Sequence, residues 1–123
     1  MQTVNVAIIG TGGIGRAHCR GFVRNPRVRI VALCDVIEER METMAEDIPN
    51  PVKFYTDYKA LSKDPEVDAV FVGTPNQWHV PVALDAVKHD KHVLVTKPLA
   101  DSEAAAQELV EAAEAAGVVN MMS

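Results

Sequence analysis

The stretch Val4-Asn5-Val6-Ala7-Ile8-Ile9-Gly10-Thr11-Gly12-Gly13-Ile14-Gly15 (VNVAIIGTGGIG, residues 4–15) decides the fold. Its first half is a short, almost purely apolar run, the pattern of a strand covered on both faces. Its second half places glycines at 10, 12 and 15. The residues after it, 14–24, carry helix spacing, with Ile14, Ala17 and Phe22 apolar, before Asn25 and Pro26 stop the helix. A strand, a glycine turn and a helix in immediate succession form the opening of a βαβ unit.

Outward from this unit the chain keeps alternating. Residues 28–34 (VRIVALC) read as a second strand. A helix over 37–47 aligns Met41, Met44, Ala45 and Ile48 on one face. Pro49, Asn50 and Pro51 break the chain before a short strand at 52–55, and Asp57 can cap a brief helix reaching residue 63. Residues 68–72 (DAVFV) form a fourth strand, and Val80, Ala83, Leu84 and Val87 mark the next helix. A fifth strand spans 92–95. A helix with Ala105, Leu109, Ala112 and Ala116 on one stripe ends at Gly117, and a sixth apolar run covers 118–122. Strict β-α alternation predicts an α/β fold, a doubly wound parallel sheet of six strands in the Rossmann order 3-2-1-4-5-6.

Composition supports one such domain over 1–123. The chain is 48% hydrophobic and only 5% aromatic, so the core must rest on Val, Ile, Leu and Ala, as parallel sheets do. The net charge of −5, without a basic run, argues against a nucleic-acid partner. No apolar stretch is long enough for a membrane span. The strand-like run beginning at Val4 leaves no room for a leader, and Cys19 and Cys34 lack CxxC spacing. A reducing cytoplasm is therefore the expected location, with both cysteines small core residues. No His/Cys/Asp cluster has metal-ligand spacing.

The glycine turn also points to chemistry. Gly10 permits the tight turn out of the strand. Gly12 lets backbone approach a pyrophosphate, and Gly15 lets the helix pack closely on the sheet. Thr11, Gly13 and Ile14 supply backbone, and the helix N-terminus aims free N–H groups at the phosphates. Asp35 follows the second strand, 20 residues after Gly15. There a carboxylate can accept hydrogen bonds from both ribose hydroxyls of adenosine and repel a 2′-phosphate, which favours NAD over NADP. Arg40 is the nearest candidate partner for such a phosphate, but its helical position turns it toward solvent.

Two further segments end strands, at the sheet edge where ligands bind in this fold class. They are Gly73-Thr74-Pro75-Asn76-Gln77-Trp78-His79 and His92-Val93-Leu94-Val95-Thr96-Lys97-Pro98. With GTGGIG, His18 just beyond it, Asp35, the TPN triplet with His79 three residues on, and Lys97-Pro98, the chain resembles the N-terminal domain of the glucose–fructose oxidoreductase, inositol dehydrogenase and rhizopine catabolism (GFO/IDH/MocA) family from Val4 to Ser123.

The resemblance implies that Thr74, Pro75 and Asn76 line the cofactor cleft. It puts His79 at a helix start beside the cleft and Trp78 against the nicotinamide end. Lys97 would reach the reacting carbon and its oxygen, where an ammonium stabilises developing alkoxide charge or assists proton transfer. Thr96 departs from the family's usual glutamate before Lys-Pro; it can donate one hydrogen bond but supplies no carboxylate.

The resemblance further implies a sugar, cyclitol or similar polyol as substrate and a second domain, absent from these 123 residues, that supplies the acid/base group. The isolated chain is then expected to bind cofactor, remain catalytically silent, and form a homo-oligomer through its sixth strand. Two other readings stay open: a stand-alone nucleotide-binding or sensing module without turnover, and a structural relic that dimerises and binds nothing. His18 reads as packing, His89 and His92 as solvated turn residues, and Met121 and Met122 as core or interface.

Overall fold

A strand buried on both faces needs helices above and below it, and the computed structural model, which describes residues 3–96 and 102–122, supplies them. The elements are β1 (Val4–Ile9), α1 (Gly13–Arg24), β2 (Val28–Cys34), α2 (Glu38–Ala45), β3 (Lys53–Tyr55), α3 (Tyr58–Ser62), β4 (Ala69–Val72), α4 (His79–Lys88), β5 (His92–Val95), α5 (Glu103–Ala116) and β6 (Asn120–Met122). All neighbouring strands are parallel, in the order β3-β2-β1-β4-β5-β6 that the alternation predicts.

Alternate side chains of each strand divide the core. Ile8, Leu33 and Phe71 meet Cys19 of α1 and Met41 and Met44 of α2 on one face. Ala7, Ile9, Val70 and Val72 meet Leu61 of α3, Ala83 and Ala86 of α4, and Leu109 and Ala113 of α5 on the other. The sheet is thus wound in opposite directions from β1, and the crevice between the ends of β1 and β4 is the switch point.

The buried face of α1 differs from the expected one. Gly15 and Cys19 are buried, His18 and Phe22 half-buried, whereas Ile14 is 54% exposed and Ala17 exposed. The cause is the approach of helix to sheet. A Cβ on Gly15 would overlap the Gly10 carbonyl, so this side of the helix presses against the turn. That contact fixes the helical phase and turns the 14/17 side outward. His18 stacks on the Phe71 ring at a centroid separation of 4.3 Å, which bears out its packing role.

The α2 helix is shorter than its periodicity. After Ala45 the chain tightens into i→i+3 bonds, from Asp47 N to the Met44 carbonyl and from Ile48 N to the Ala45 carbonyl. Asp57 caps α3 by accepting from Lys59 N at 2.9 Å. Gly117 ends α5 in the left-handed region at φ 71°, and Val118 N returns to the Ala113 carbonyl, so β6 starts only at Asn120. Among the α5 residues assigned to the core stripe, Ala116 is exposed. His92 is not simply solvated, because its Nδ1 accepts from Val119 N at 2.9 Å and ties β6 to β5. On this edge strand Met121 is 58% exposed.

At the opposite end of the sheet from the switch point, Asp64 gathers β3 and the turn after α3. Its Oδ2 accepts from Tyr55 OH at 2.7 Å and Lys53 Nζ at 2.9 Å, and its Oδ1 from Glu66 N at 2.9 Å. Burial opposes ionisation, but the bonds from Lys53, Tyr55 and the Glu66 N–H outweigh it and hold the carboxyl at about 2. A carboxyl depressed in the folded state contributes stability above its ordinary value, and that contribution is lost as pH falls toward 2. Asp64→Asn is expected to cost roughly 1 kcal/mol at neutral pH, mostly through the tyrosine and backbone bonds, since the lysine is half in solvent. In urea denaturation the wild type should converge on the variant as pH drops from 5 to 2; a constant gap would show the charge to be irrelevant.

Candidate functional site

The C-terminal ends of the central strands are joined by backbone bonds. Gly10 N donates to the Cys34 carbonyl (2.8 Å), Gly73 N to the Ile9 carbonyl (2.8 Å), Thr96 N to the Val72 carbonyl (3.2 Å) and Asp35 N to the Tyr55 carbonyl (3.1 Å). The loops leaving the sheet are thereby fixed around a cavity of about 630 Å3. Gly10, Gly12, Gly13 and Ile14 of the glycine turn line it, with Asp35, Val36 and Arg40 beyond β2, Thr56, Asp57 and Tyr58 beyond β3, and Gly73, Thr74, Pro75 and Trp78 beyond β4.

The three motif glycines answer to different demands. Gly10 has φ +95°, and a Cβ there would stand 2.7 Å from the Gly73 backbone. Gly15 abuts the Gly10 carbonyl. Both are therefore required by the protein's own packing. A Cβ on Gly12 or Gly13 would meet nothing within 4 Å, and neither has a positive φ. The fold does not require glycine at 12; only a group occupying the cavity would.

Gly12 is also the N-cap of α1 and offers no side chain to the first-turn N–H groups, and that turn holds no acidic residue. Gly12, Gly13 and Ile14 line the cavity, so this end of the helix opens onto it without a side-chain cap, the arrangement that suits an anion. Thr74 lines the same cavity, and its own Oγ1 is buried with no hydrogen-bond partner among the described residues. The donors and the open space fit a pyrophosphate.

Asp35 stands at the end of β2. Its Oδ2 accepts from Thr11 N at 2.9 Å and Thr11 Oγ1 at 2.7 Å, and its Oδ1 from Ile37 N at 2.9 Å. Burial would raise its pKa, but the Ile37 and Thr11 bonds, helped by the Arg40 charge, leave it below the ordinary carboxylate value. It is an anion at neutral pH. Thr11 N–H is spent on Asp35, so the loop's donors toward a phosphate come from the residues after it. Cys34 lines the same wall, but burial, with the Asp35 and Asp57 charges, pushes its thiol up to about 12, so it is no nucleophile. Burial likewise raises Cys19.

The expected far-half residues separate. Thr74 and Pro75 reach the cavity, and Trp78 stands half exposed on its wall. His79 and Thr96 do not. His79 is 1% exposed, with Nε2 2.8 Å from the Thr74 carbonyl and 3.4 Å from Thr96 Oγ1. Thr96 Oγ1 donates to the Val72 carbonyl at 3.2 Å. The two brace the loop that carries Thr74 from behind. Lys97 and the side chain of Asn76 lie outside the described residues. Arg40 is exposed as expected, yet it also lines the cavity beside Asp35. Gly73, which opens the segment expected at this edge, also lines the cavity; so do Val36, Thr56, Asp57 and Tyr58, which the sequence does not point to it. The signal that could find the residues after β3 is the rule that ligands gather at strand C-termini, applied to that short strand as to the others.

Among the described residues no group of three His, Cys, Asp or Glu could hold a metal ion, and no helix is long and apolar enough to cross a membrane.

A doubly wound parallel sheet whose switch-point crevice joins an uncapped helix N-terminus to a carboxylate at the end of β2 is a dinucleotide-binding domain. Comparison with known proteins narrows the class. The family model described as "Oxidoreductase family, NAD-binding Rossmann fold" matches residues 4–123, and the chain belongs to this GFO/IDH/MocA family. It is 36% identical over 112 residues to an inositol 2-dehydrogenase of Rubrobacter xylanophilus, covering 90% of this chain and 32% of that protein. It is 35% identical over 121 residues to a glycosyl hydrolase family 109 protein of Saccharopolyspora erythraea, covering 92% and 26%. The crystal structure of GenD2 from gentamicin A biosynthesis, in complex with NAD, superposes with a TM-score of 0.94 at 29% identity, over 100% of this chain and 35% of that one. The chain thus spans about a quarter to a third of the relatives it matches.

Proposed function

We propose that this chain is the NAD(H)-holding domain of an oxidoreductase acting on a carbinol carbon of a sugar, cyclitol or similar polyol. The observation that carries the reading is the convergence in one cavity of Gly12, whose side-chain space the fold leaves empty, and Asp35, an anion held at the end of β2. Gly12, Gly13, Ile14 and Thr74 would hold the pyrophosphate, and Asp35 the adenosine ribose. Pro75 and Trp78 would wall the far end. When bound, the nicotinamide accepts or gives the hydride. Lys97, which follows Thr96 at the exit from β5, would stabilise negative charge on the substrate oxygen or move its proton. The name of the Rubrobacter relative supports a cyclitol-like substrate.

The reading is tested first by cofactor. NADH is expected to bind about tenfold or more tightly than NADPH, because a phosphate beside the Asp35 carboxylate is repelled more than Arg40 offsets. Asp35→Ser should narrow that gap. Calorimetric titrations of NADH and NADPH into the chain decide it; no NADH binding, or tighter NADPH binding, would sink the assignment. A polyol panel assayed with the catalytically competent protein then tests the substrate class.

A further inference from the structure

We propose that Thr11 sets the cofactor preference of this site by positioning Asp35, without touching the cofactor itself. The inference rests on the reading just given. Thr11 is 1% exposed and sits between the first two glycines of the turn. Both of its donors, N–H and hydroxyl, go to the same atom, Asp35 Oδ2. Ile37 N–H takes one position on Oδ1.

A carboxylate offers about four acceptor positions, two on each oxygen. Three are filled here, from two segments of chain: the glycine turn, and the entry to α2 just after β2. Oδ2 is saturated, and one position on Oδ1 remains. A ribose therefore meets a carboxylate of fixed plane with room for one conventional hydrogen bond. This narrows the expectation, drawn from the sequence, that Asp35 accepts from both hydroxyls.

The consequence is selectivity. A ribose 2′-hydroxyl can donate to the open Oδ1 position. An ionised 2′-phosphate has no proton to donate and brings charge against an anion that cannot turn away. Without the Thr11 hydroxyl, Oδ2 recovers an acceptor position and the carboxylate loses one of its three anchors. It can then swing toward Arg40, which lines the same cavity and already acts on its charge. Paired with Arg40, it would leave space for the phosphate it now excludes.

The charged and titratable groups around Asp35 come from every neighbouring element. They are Arg16 on α1 and Glu39 and Arg40 on α2, which share a hollow with Thr11, Cys34 on β2, and Asp57 and Tyr58 at the start of α3. Among the described residues, Thr11 couples the turn to the carboxylate through a side-chain hydrogen bond.

The test compares the chain with Thr11→Val, which keeps the shape and the N–H but not the hydroxyl, and Thr11→Ser, which keeps the hydroxyl. Two readouts are taken: the titration of the Asp35 carboxyl by NMR without cofactor, and the calorimetric affinities for NADH and NADPH. In Thr11→Val the Asp35 titration should move up, NADH binding weaken about tenfold, and the NADH-to-NADPH ratio fall by about threefold or more. Thr11→Ser should restore all three. Equal losses for both cofactors with an unmoved Asp35 titration would reduce Thr11 to a loop brace and overturn the proposal, as would a moved titration with an unchanged ratio.

If Thr11→Val fails to fold, the unmodified chain still decides. An Asp35 titration at or above the ordinary carboxylate value would show that the hydroxyl does not hold the anion. Failure of the unmodified chain to bind NADH would instead count against the cofactor assignment, while the NMR titration would still test whether Thr11 holds Asp35 as an anion.

Discussion

Gly12→Val is expected to leave the fold intact and to weaken NADH binding by about 10²-fold or more. The two halves of this expectation come from one observation: a Cβ at position 12 meets nothing within 4 Å. The protein itself tolerates the side chain, so circular dichroism and the urea midpoint should change little. The cavity does not tolerate it, because the valine methyls fill the space in front of the uncapped first turn of α1. A phosphate pushed away from two or more backbone N–H donors loses charge-assisted hydrogen bonds of about 1.5–3 kcal/mol each.

The neighbouring glycines supply the control. Gly15→Ala should damage stability, on the order of 3 kcal/mol, because its Cβ has only the Gly10 carbonyl to displace. Gly10→Ala adds a backbone angle that L-residues rarely adopt to a collision with the Gly73 backbone. Calorimetry and denaturation on the three variants would separate a ligand glycine from two packing glycines. Near-normal NADH affinity in Gly12→Val would move the phosphates elsewhere.

In the catalytically competent protein, Lys97→Ala is expected to lower kcat by ~10²–10⁴-fold while changing NAD affinity by less than about threefold. Thr96 is fixed at the C-terminal end of β5 by two bonds to the Val72 carbonyl, and Lys97 follows it directly in sequence. An ammonium brought to a substrate oxygen acts on charge that develops only as the C–H bond breaks, so it lowers the barrier more than it strengthens binding. Steady-state kinetics and a separate NAD titration distinguish the roles. Equal losses in both would make Lys97 a cofactor ligand, and no loss in either would make it a surface lysine.

Much of the fold is legible in the sequence because it depends on local rules. The alternation of apolar runs with helical periods yields six strands and their order, since right-handed crossovers leave few ways to connect parallel strands. Asp57 as a cap and Gly117 as a helix end follow from turn chemistry. The phase of α1 is not legible in this way. Apolarity alone selects Ile14, Ala17 and Phe22, whereas the close contact of Gly15 with the preceding turn selects the 15/18/19/22 face, which keeps only Phe22 of the three. Family resemblance points His79 and Thr96 at the cleft. Their burial behind the Thr74 loop depends on how β4 and β5 lie side by side, which no local pattern encodes.

The sequence by itself determined the glycine turn, the carboxylate 20 residues beyond it, and hence the class of ligand. Those are statements about residue type and spacing, and a strand–turn–helix unit carries them in one short segment. Only the tertiary structure decided what each group is free to do. Gly10 and Gly15 serve the packing of the protein while Gly12 leaves space for something else. Asp35 gives three of its acceptor positions to Thr11 and Ile37 before any ribose arrives. The reason is that a hydrogen bond between residues 24 apart, or a gap where a Cβ would stand, exists only once parallel strands bring separate turns to the same edge of the sheet.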